Sequence, residues 1–141
     1  MATVALVAHD GKKDAIVDWV AGHKRELLRF ELLATRTTGG RLASAHNLPI
    51  RRLKSGSHGG DVQLGALIAE GRLDALIFFV DPLAVLPHQT DVMSLLRLAI
   101  LYDVPLAMNA SSADAVLGVL GKRVHSSAQH SATMTTLQHS S

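Results

Sequence analysis

The chain has 141 residues, 48% of them hydrophobic and 18% charged, with a mean hydropathy of +0.22, enough apolar material for one core and too much for a wholly disordered chain. It has no cysteine, which removes disulfides, thiolate chemistry, zinc fingers and iron–sulfur clusters, and its longest apolar run, Ala75–Val80, is far short of the ~20 residues that span a bilayer. The 12 acidic residues balance the 12 Lys and Arg of residues 1–121, so the net +2 comes from Lys122 and Arg123; only the run Arg51, Arg52, Lys54 hints at a basic patch, and five aromatics in all leave little to stack bases on, so a nucleic-acid binder is not expected.

Thr3–Ala8 (TVALVA) reads as a buried strand, and no Lys or Arg precedes Lys12, so no secretory leader is expected and a soluble, cytoplasmic protein is. A loop, His9–Lys12, leads into a helix from about Lys13 to Arg29 whose apolar side carries Ile16, Val17, Val20, Leu27 and Leu28. Phe30–Thr35 is a second strand, Thr37–Gly40 a polar loop, Arg41–Asn47 a short helix and Ile50–Leu53 a brief third strand. The loop Lys54–Gly60 precedes a helix from Asp61 to Glu70, closed by Gly71. Asp74–Val80 is the most apolar strand. A Pro-bracketed loop over Asp81–Thr90 then leads to a helix ending near Tyr102. Pro105–Asn109 is a last strand and Ser111–Leu120 a last helix, with Ser111 or Ser112 as its N-cap.

Continuous apolar strands alternating with helices describe a sheet covered on both faces. The expected fold is a single α/β domain over residues 1–121: three layers around a doubly wound, mainly parallel sheet of about five strands. Residues 122–141 hold five Ser, three Thr and three His with no acid and no apolar period, and read as a disordered tail whose irregularly spaced histidines hold no metal.

In such a sheet ligands bind beyond the carboxyl ends of the strands, and each of those loops carries polar groups. One set suits an anion: Lys12 or Lys13, the hydroxyls of Thr35, Thr37, Thr38 and Ser55, and Gly39, Gly56, Gly59 and Gly60 ahead of helices. Neither a Walker loop nor a G-x-G-x-x-G fingerprint is present, so a small phosphorylated ligand fits better than a nucleotide. The other set is acid–base: His9, Asp10, Asp61, Asp81, His88 and Asp91. Carboxylate with imidazole is what proton abstraction beside a carbonyl needs. Plainer roles exist for the same residues. Asp61 and Asp91 suit helix caps, Asp81-Pro82 suits a turn, and His9 suits a structural site after a buried strand. His23 and His46 read as surface residues, and His58 as ambiguous.

Taken together, these loops resemble the methylglyoxal synthases. The matching blocks are A-L-V-A-H-D at 5–10 with Lys13, A-T-x-T-T-G at 34–39, S-G-x-x-G-G-D at 55–61 and Q-x-G-A-L-I-x-E-G at 63–71. They continue as D-x-L-I-F-F-x-D-P-L at 74–83, P-H-x-x-D-V at 87–92, L-L-R-L-A at 95–99 and N-x-x-x-A-D at 109–114. The resemblance implies a flavodoxin-like fold, assembly as a homohexamer, and a lyase that turns dihydroxyacetone phosphate into methylglyoxal and inorganic phosphate. No metal or organic cofactor is implied, and phosphate should inhibit. By position it makes Asp61 the base, gives His88 and His9 the carbonyl, and makes Asp91 the acid that assists phosphate departure. Lys13, Thr35, Thr37, Thr38, Ser55 and Gly56 would hold the phosphate, joined by Arg36 where the family has Gly, with Asp10 and Asp81 in support. Gln89-Thr90 replaces an acidic-Pro pair. The family's C-terminal strand and helix, which carry a basic phosphate contact across a subunit boundary, have no counterpart after about Leu120, Arg123 included. Weaker activity or a weaker oligomer is expected from that loss. The competing expectation is an effector-binding regulatory domain of the same superfamily, without chemistry.

Overall fold

The structure, a computed structural model, describes residues 1–84 and 89–123, and residues 89–91 by their backbone alone. His88 and the Asp91 side chain therefore lie outside the described residues, as does most of the expected tail.

Five strands, β1 (Thr3–Ala8), β2 (Glu31–Ala34), β3 (Ile50–Arg52), β4 (Ala75–Phe79) and β5 (Leu106–Ala107), form one sheet in the order β3-β2-β1-β4-β5. Every pairing is parallel; in the central strand Leu6 lies beside Ala34 on one side and Ile77 on the other. The helices are α1 (Lys13–Ala21), α2 (Lys24–Leu27), α3 (Arg36–His46), α4 (Gly60–Ala69), α5 (Gln89–Leu101) and α6 (residues 110–123). The doubly wound parallel class expected from the sequence is the one that forms. Its switch point lies between β1 and β4, where the flavodoxin order has it between the first and third strands.

The period-2 geometry of a strand sends alternate side chains to opposite faces, and here both faces are apolar. Val4, Leu6, Ala8, Ile77 and Phe79 meet Ile16 and Val20 of α1, Leu42 of α3 and Leu117 of α6. On the other face Ala5, Val7, Leu76 and Phe78 meet Leu64 and Ile68 of α4 and Leu95 and Ala99 of α5. Each large side chain buried this way contributes about 1.5–3 kcal/mol, so the core, not the polar rim, holds the sheet together.

Four local expectations are corrected. The single helix over 13–29 is two: α1 stops at Gly22, whose N–H closes on Trp19 O (3.2 Å), and α2 restarts after His23. Leu28 is consequently exposed, while Leu27 is buried. The expected loop at 37–40 is the first turns of α3, because burial of Thr38, Gly39 and Leu42 overrides the low helix propensity of Thr-Thr-Gly-Gly. Asn109, not Ser111 or Ser112, caps α6: its Oδ1 accepts the Ser112 N–H (2.9 Å), and Ser112 Oγ accepts the N–H groups of Met108 and Asn109. That helix runs through Lys122 and Arg123, three residues past its expected end at Leu120.

His23 and His46 are half-buried ties rather than loose surface groups. His46 Nε2 donates to Val17 O (2.8 Å), linking α3 to α1. His23 stacks on Trp19, and both rings reach Asp114 Oδ1 of α6, at 3.0 and 2.8 Å.

Candidate active site

The carboxyl ends of β1, β2 and β3 open on one cavity of about 370 Å³, in the crevice where open α/β sheets bind ligands. The chain leaving β1 supplies His9, Asp10 and Lys13; that leaving β2 supplies Thr35 and Thr37; that leaving β3 supplies Ser55, Gly56, Ser57, His58 and Asp61. Val7, Phe78 and Val92 give it an apolar floor.

Lys13 begins α1 and is only 9% exposed. Its Nζ donates to Ala8 O (2.8 Å) and pairs with Asp10 Oδ1 (3.1 Å). The Asp10 side chain is fully exposed, so water screens its charge and it neutralises the ammonium poorly. The wall of the cavity thus presents a buried cation to any anion that enters.

His9 has a defined tautomer. Its Nδ1 lies 2.9 Å from the Asp81 N–H, a group that can only donate. Nδ1 is therefore the acceptor and the neutral ring carries its proton on Nε2, an assignment made from the hydrogen-bond network. The backbone N–H of His9 is held by Phe79 O (3.1 Å), and the ring meets Phe78 edge-on, with centroids 5.1 Å apart. Asp81 does not line the cavity; its own Oδ1 accepts the Leu83 N–H (3.0 Å). Its Oδ2 would lie 2.5 Å from a Cβ on Gly11, so a side chain there would push the Asp81 carboxylate aside. Asp81 orients His9 through its main chain.

Thr35 stands at the N-cap of α3 in extended conformation, yet its side chain caps nothing. Its hydroxyl instead donates to Thr38 Oγ1 (3.4 Å), and both threonines are buried. The first-turn N–H groups, left uncapped by any side chain, carry the positive end of the helix dipole beside Thr37 and Lys13. Thr38 and Arg36 are not among the lining residues: Thr38 lies behind Thr35, and Arg36 is exposed at the start of α3. Neither side chain is thus part of the cavity wall, and Thr38 is joined to it through Thr35.

Asp61 is delivered by a loop that only glycines permit. Ser55 enters a 3-10 turn over Gly56–His58, Gly59 takes the left-handed conformation (φ +104°), and the Gly60 N–H returns to Ser55 O (2.8 Å). A Cβ on Gly60 would lie 2.1 Å from Lys54 O. Asp61 then falls in the first turn of α4, where a carboxylate suits the helix dipole. It is 7% exposed, its oxygens 3.5 and 3.6 Å from the point a Cβ on Gly56 would occupy, so Gly56 keeps open the approach to the carboxylate.

The sequence does not single out Ser57 and reads His58 as ambiguous, although the Ser-x-Ser-His run inside a glycine-rich loop is the signal for both. His58 Nδ1 lies 2.8 Å from Ser55 Oγ and 3.2 Å from Ser57 Oγ. Among the described residues no three His, Cys, Asp or Glu side chains are grouped to hold a metal ion, and no helix is long and apolar enough to cross a membrane. A buried carboxylate, an Nε2–H donor, an ammonium and an open helix N-terminus around a small cavity can bind a phosphate ester and move a proton next to a carbonyl.

Comparison with known proteins agrees with that chemistry. Residues 15–108 match the family model of the MGS-like domain. The methylglyoxal synthase of Pseudoalteromonas atlantica is 56% identical over 115 residues, 82% of this chain and 85% of that protein. The methylglyoxal synthase of Rhizobium etli is 52% identical over 118 residues, 83% of this chain and 94% of that one. The crystal structure of methylglyoxal synthase from Elizabethkingia anophelis superposes with a TM-score of 0.78 at 42% identity, covering 82% of this chain and 76% of its own.

Proposed function

The chain belongs to the methylglyoxal synthase family and is a lyase with a small-molecule substrate, and we propose that it converts dihydroxyacetone phosphate to methylglyoxal and inorganic phosphate in the cavity described above. The observation that carries this reading is that the buried Asp61 carboxylate shares one small cavity with Lys13, Thr37 and the uncapped start of α3.

The phosphate is held by Lys13, the hydroxyls of Thr35, Thr37 and Ser55, the backbone at Gly56 and the α3 N-terminus, with Thr38 fixing Thr35. Asp61 removes a proton from the hydroxyl-bearing carbon. The electron pair moves onto the carbonyl oxygen, which His9 meets with its Nε2–H; His88 assists at the same oxygen. The enediolate then collapses. The pair of the old C=C bond shifts to form a C=C to the phosphate-bearing carbon as the C–O bond to phosphate breaks. The hydroxyl oxygen on the deprotonated carbon becomes the aldehyde C=O, its proton passing to the enolate oxygen, and phosphate leaves with the bonding pair, Asp91 supplying a proton. The enol that remains loses its hydroxyl proton and takes one on carbon, giving methylglyoxal. The phosphate departs only if its C–O bond stands out of the enediolate plane. Gripping it from the α3 side while Asp61 works from the α4 side is an orientation effect worth several kcal/mol.

Asp10 tempers the charge of Lys13, and Asp81 sets the His9 tautomer. Free phosphate competes for the same grip and inhibits. Assembly as a homohexamer, weaker than in the family because its C-terminal strand is not recognisable in the sequence after about Leu120, and a cytoplasmic setting belong to the same proposal; sedimentation of the purified chain tests the first.

The deciding experiment measures methylglyoxal formation from dihydroxyacetone phosphate, with Asp61→Asn as the paired variant. Loss of a general base predicts a fall in kcat of about 10³-fold with phosphate binding intact. If wild type and Asp61→Asn are equally inactive while both bind phosphate, the chain is an effector-binding domain instead.

A further inference from the structure

Beside the active cavity, over the first turns of α3, runs a second groove of about 800 Å³. The two hollows are confluent, sharing Asp10, Lys13 and Thr37, but the groove is walled further by Arg41, Ser44 and Arg52. Nothing in the reaction above uses those three side chains.

Arg52 closes β3, the edge strand of the sheet, where a charged residue ordinarily does no more than keep other strands from adding. Its surroundings say more than that. The aliphatic stem lies across α3: a Cβ on Gly39 would sit 2.9 Å from Arg52 Cγ, and one on Gly40 would sit 3.6 Å from a guanidinium nitrogen. A glycine inside a helix costs roughly 1 kcal/mol against alanine, and here Gly39 clears a lane for one arginine. Among the described residues no carboxylate lies within ion-pair distance of Arg52. Arg41, the next residue of α3 after Gly40, is steadied by Asp14 and remains about half exposed. A planar guanidinium, its stem seated and its donors unspent, is the group that proteins use for phosphate and carboxylate.

We propose that this groove is a second anion site, which takes the distal phosphate of a small bisphosphorylated metabolite while the proximal phosphate occupies the active cavity. Such a molecule excludes the substrate and so regulates the enzyme by competition. The proposal rests on the phosphate grip described above, and adds to it the ligand class that Arg52 selects.

Titration calorimetry, rather than turnover, tests it, so that a catalytically silent chain still reports. The probes are fructose 1,6-bisphosphate, fructose 6-phosphate and inorganic phosphate, compared at matched ionic strength because exposed charges are screened. Wild type is expected to bind the bisphosphate at least about tenfold more tightly than the monophosphate. Arg52→Gln should abolish that difference while leaving the affinities for fructose 6-phosphate and inorganic phosphate within about twofold and the Tm unchanged. Arg41→Gln should reduce the difference by less, Arg41 being already paired. The groove proposal is overturned if wild type binds both sugars alike, or if Arg52→Gln weakens all three probes equally. Failure of inorganic phosphate to bind wild type would instead remove the phosphate grip, and with it the reading of the reaction.

Discussion

Helices α3 and α6 both start from the carboxyl edge of the sheet, and both follow a residue suited to capping, Thr35 in one and Asn109 in the other. At α6 the chain uses that suitability. Asn109 Oδ1 takes the Ser112 N–H, and Ser112 Oγ takes two N–H groups back, a reciprocal arrangement that leaves little for a ligand. At α3 the hydroxyl turns away to Thr38 and the first turn stays uncapped. Helix α4 is of the second kind, since it starts from Gly59 with no side-chain cap and carries Asp61 in its first turn. The uncapped N-termini of α3 and α4 face the cavity and the closed one of α6 lies outside it. At the cavity, donors left unspent at a helix start are available to an anion.

The sharpest way to break this contrast is to close α4. Gly60→Ala puts a methyl 2.1 Å from Lys54 O, a main-chain atom that cannot swing aside. The loop must shift, carrying Asp61 off its position. The expected cost is about 2–3 kcal/mol of stability by overpacking and a fall in kcat of about 10²-fold, as misplacement of a catalytic group produces. Thermal unfolding and initial rates check both. Stability lost with kcat unchanged would mean that the glycine pair serves the fold alone.

How much of this was legible follows the same division. β1 and β4 were plain because every residue in them but Thr3 is apolar, and the loops they and β2 and β3 end in were plain because polar and glycine residues crowd there. Lys13, Thr35, Thr37, Ser55, Gly56 and Asp61 came together as the sequence suggested. Whether a capping residue caps was not legible. Thr35 and Asn109 obey the same local rule, and only the direction of a side chain, set by tertiary packing, separates an open helix from a closed one. The groove arginine escaped for a similar reason. Arg52 reads as an edge charge until Gly39 and Gly40, which look like loop in sequence, turn out to lie helical beneath its stem.

A smaller effect is expected from Thr35→Val, which keeps the branched shape and removes only the hydroxyl. No cap bond is lost, so the Tm should stay within about 2 °C, while phosphate affinity should fall about tenfold, the loss of one charge-assisted hydrogen bond. Calorimetric titration with phosphate reads the second quantity. An unchanged affinity would remove Thr35 from the grip and leave the α3 N–H groups and Lys13 to supply it.

Asn109→Ala is the mirror experiment and the mildest. Here the side chain does cap, so about 1 kcal/mol of stability should go, visible as a Tm lowered by about 4 °C in a domain of this size. Phosphate affinity and kcat should not move, because α6 opens away from the cavity and Asn109 is not among the residues lining it. The two substitutions form a crossed pair: one trades ligand affinity at constant stability, the other stability at constant affinity. If Asn109→Ala weakened phosphate binding as well, the closed helix would be communicating with the open one. The obvious route is the Trp19–His23–Asp114 cluster that ties α6 to α1, the helix whose first residue is Lys13.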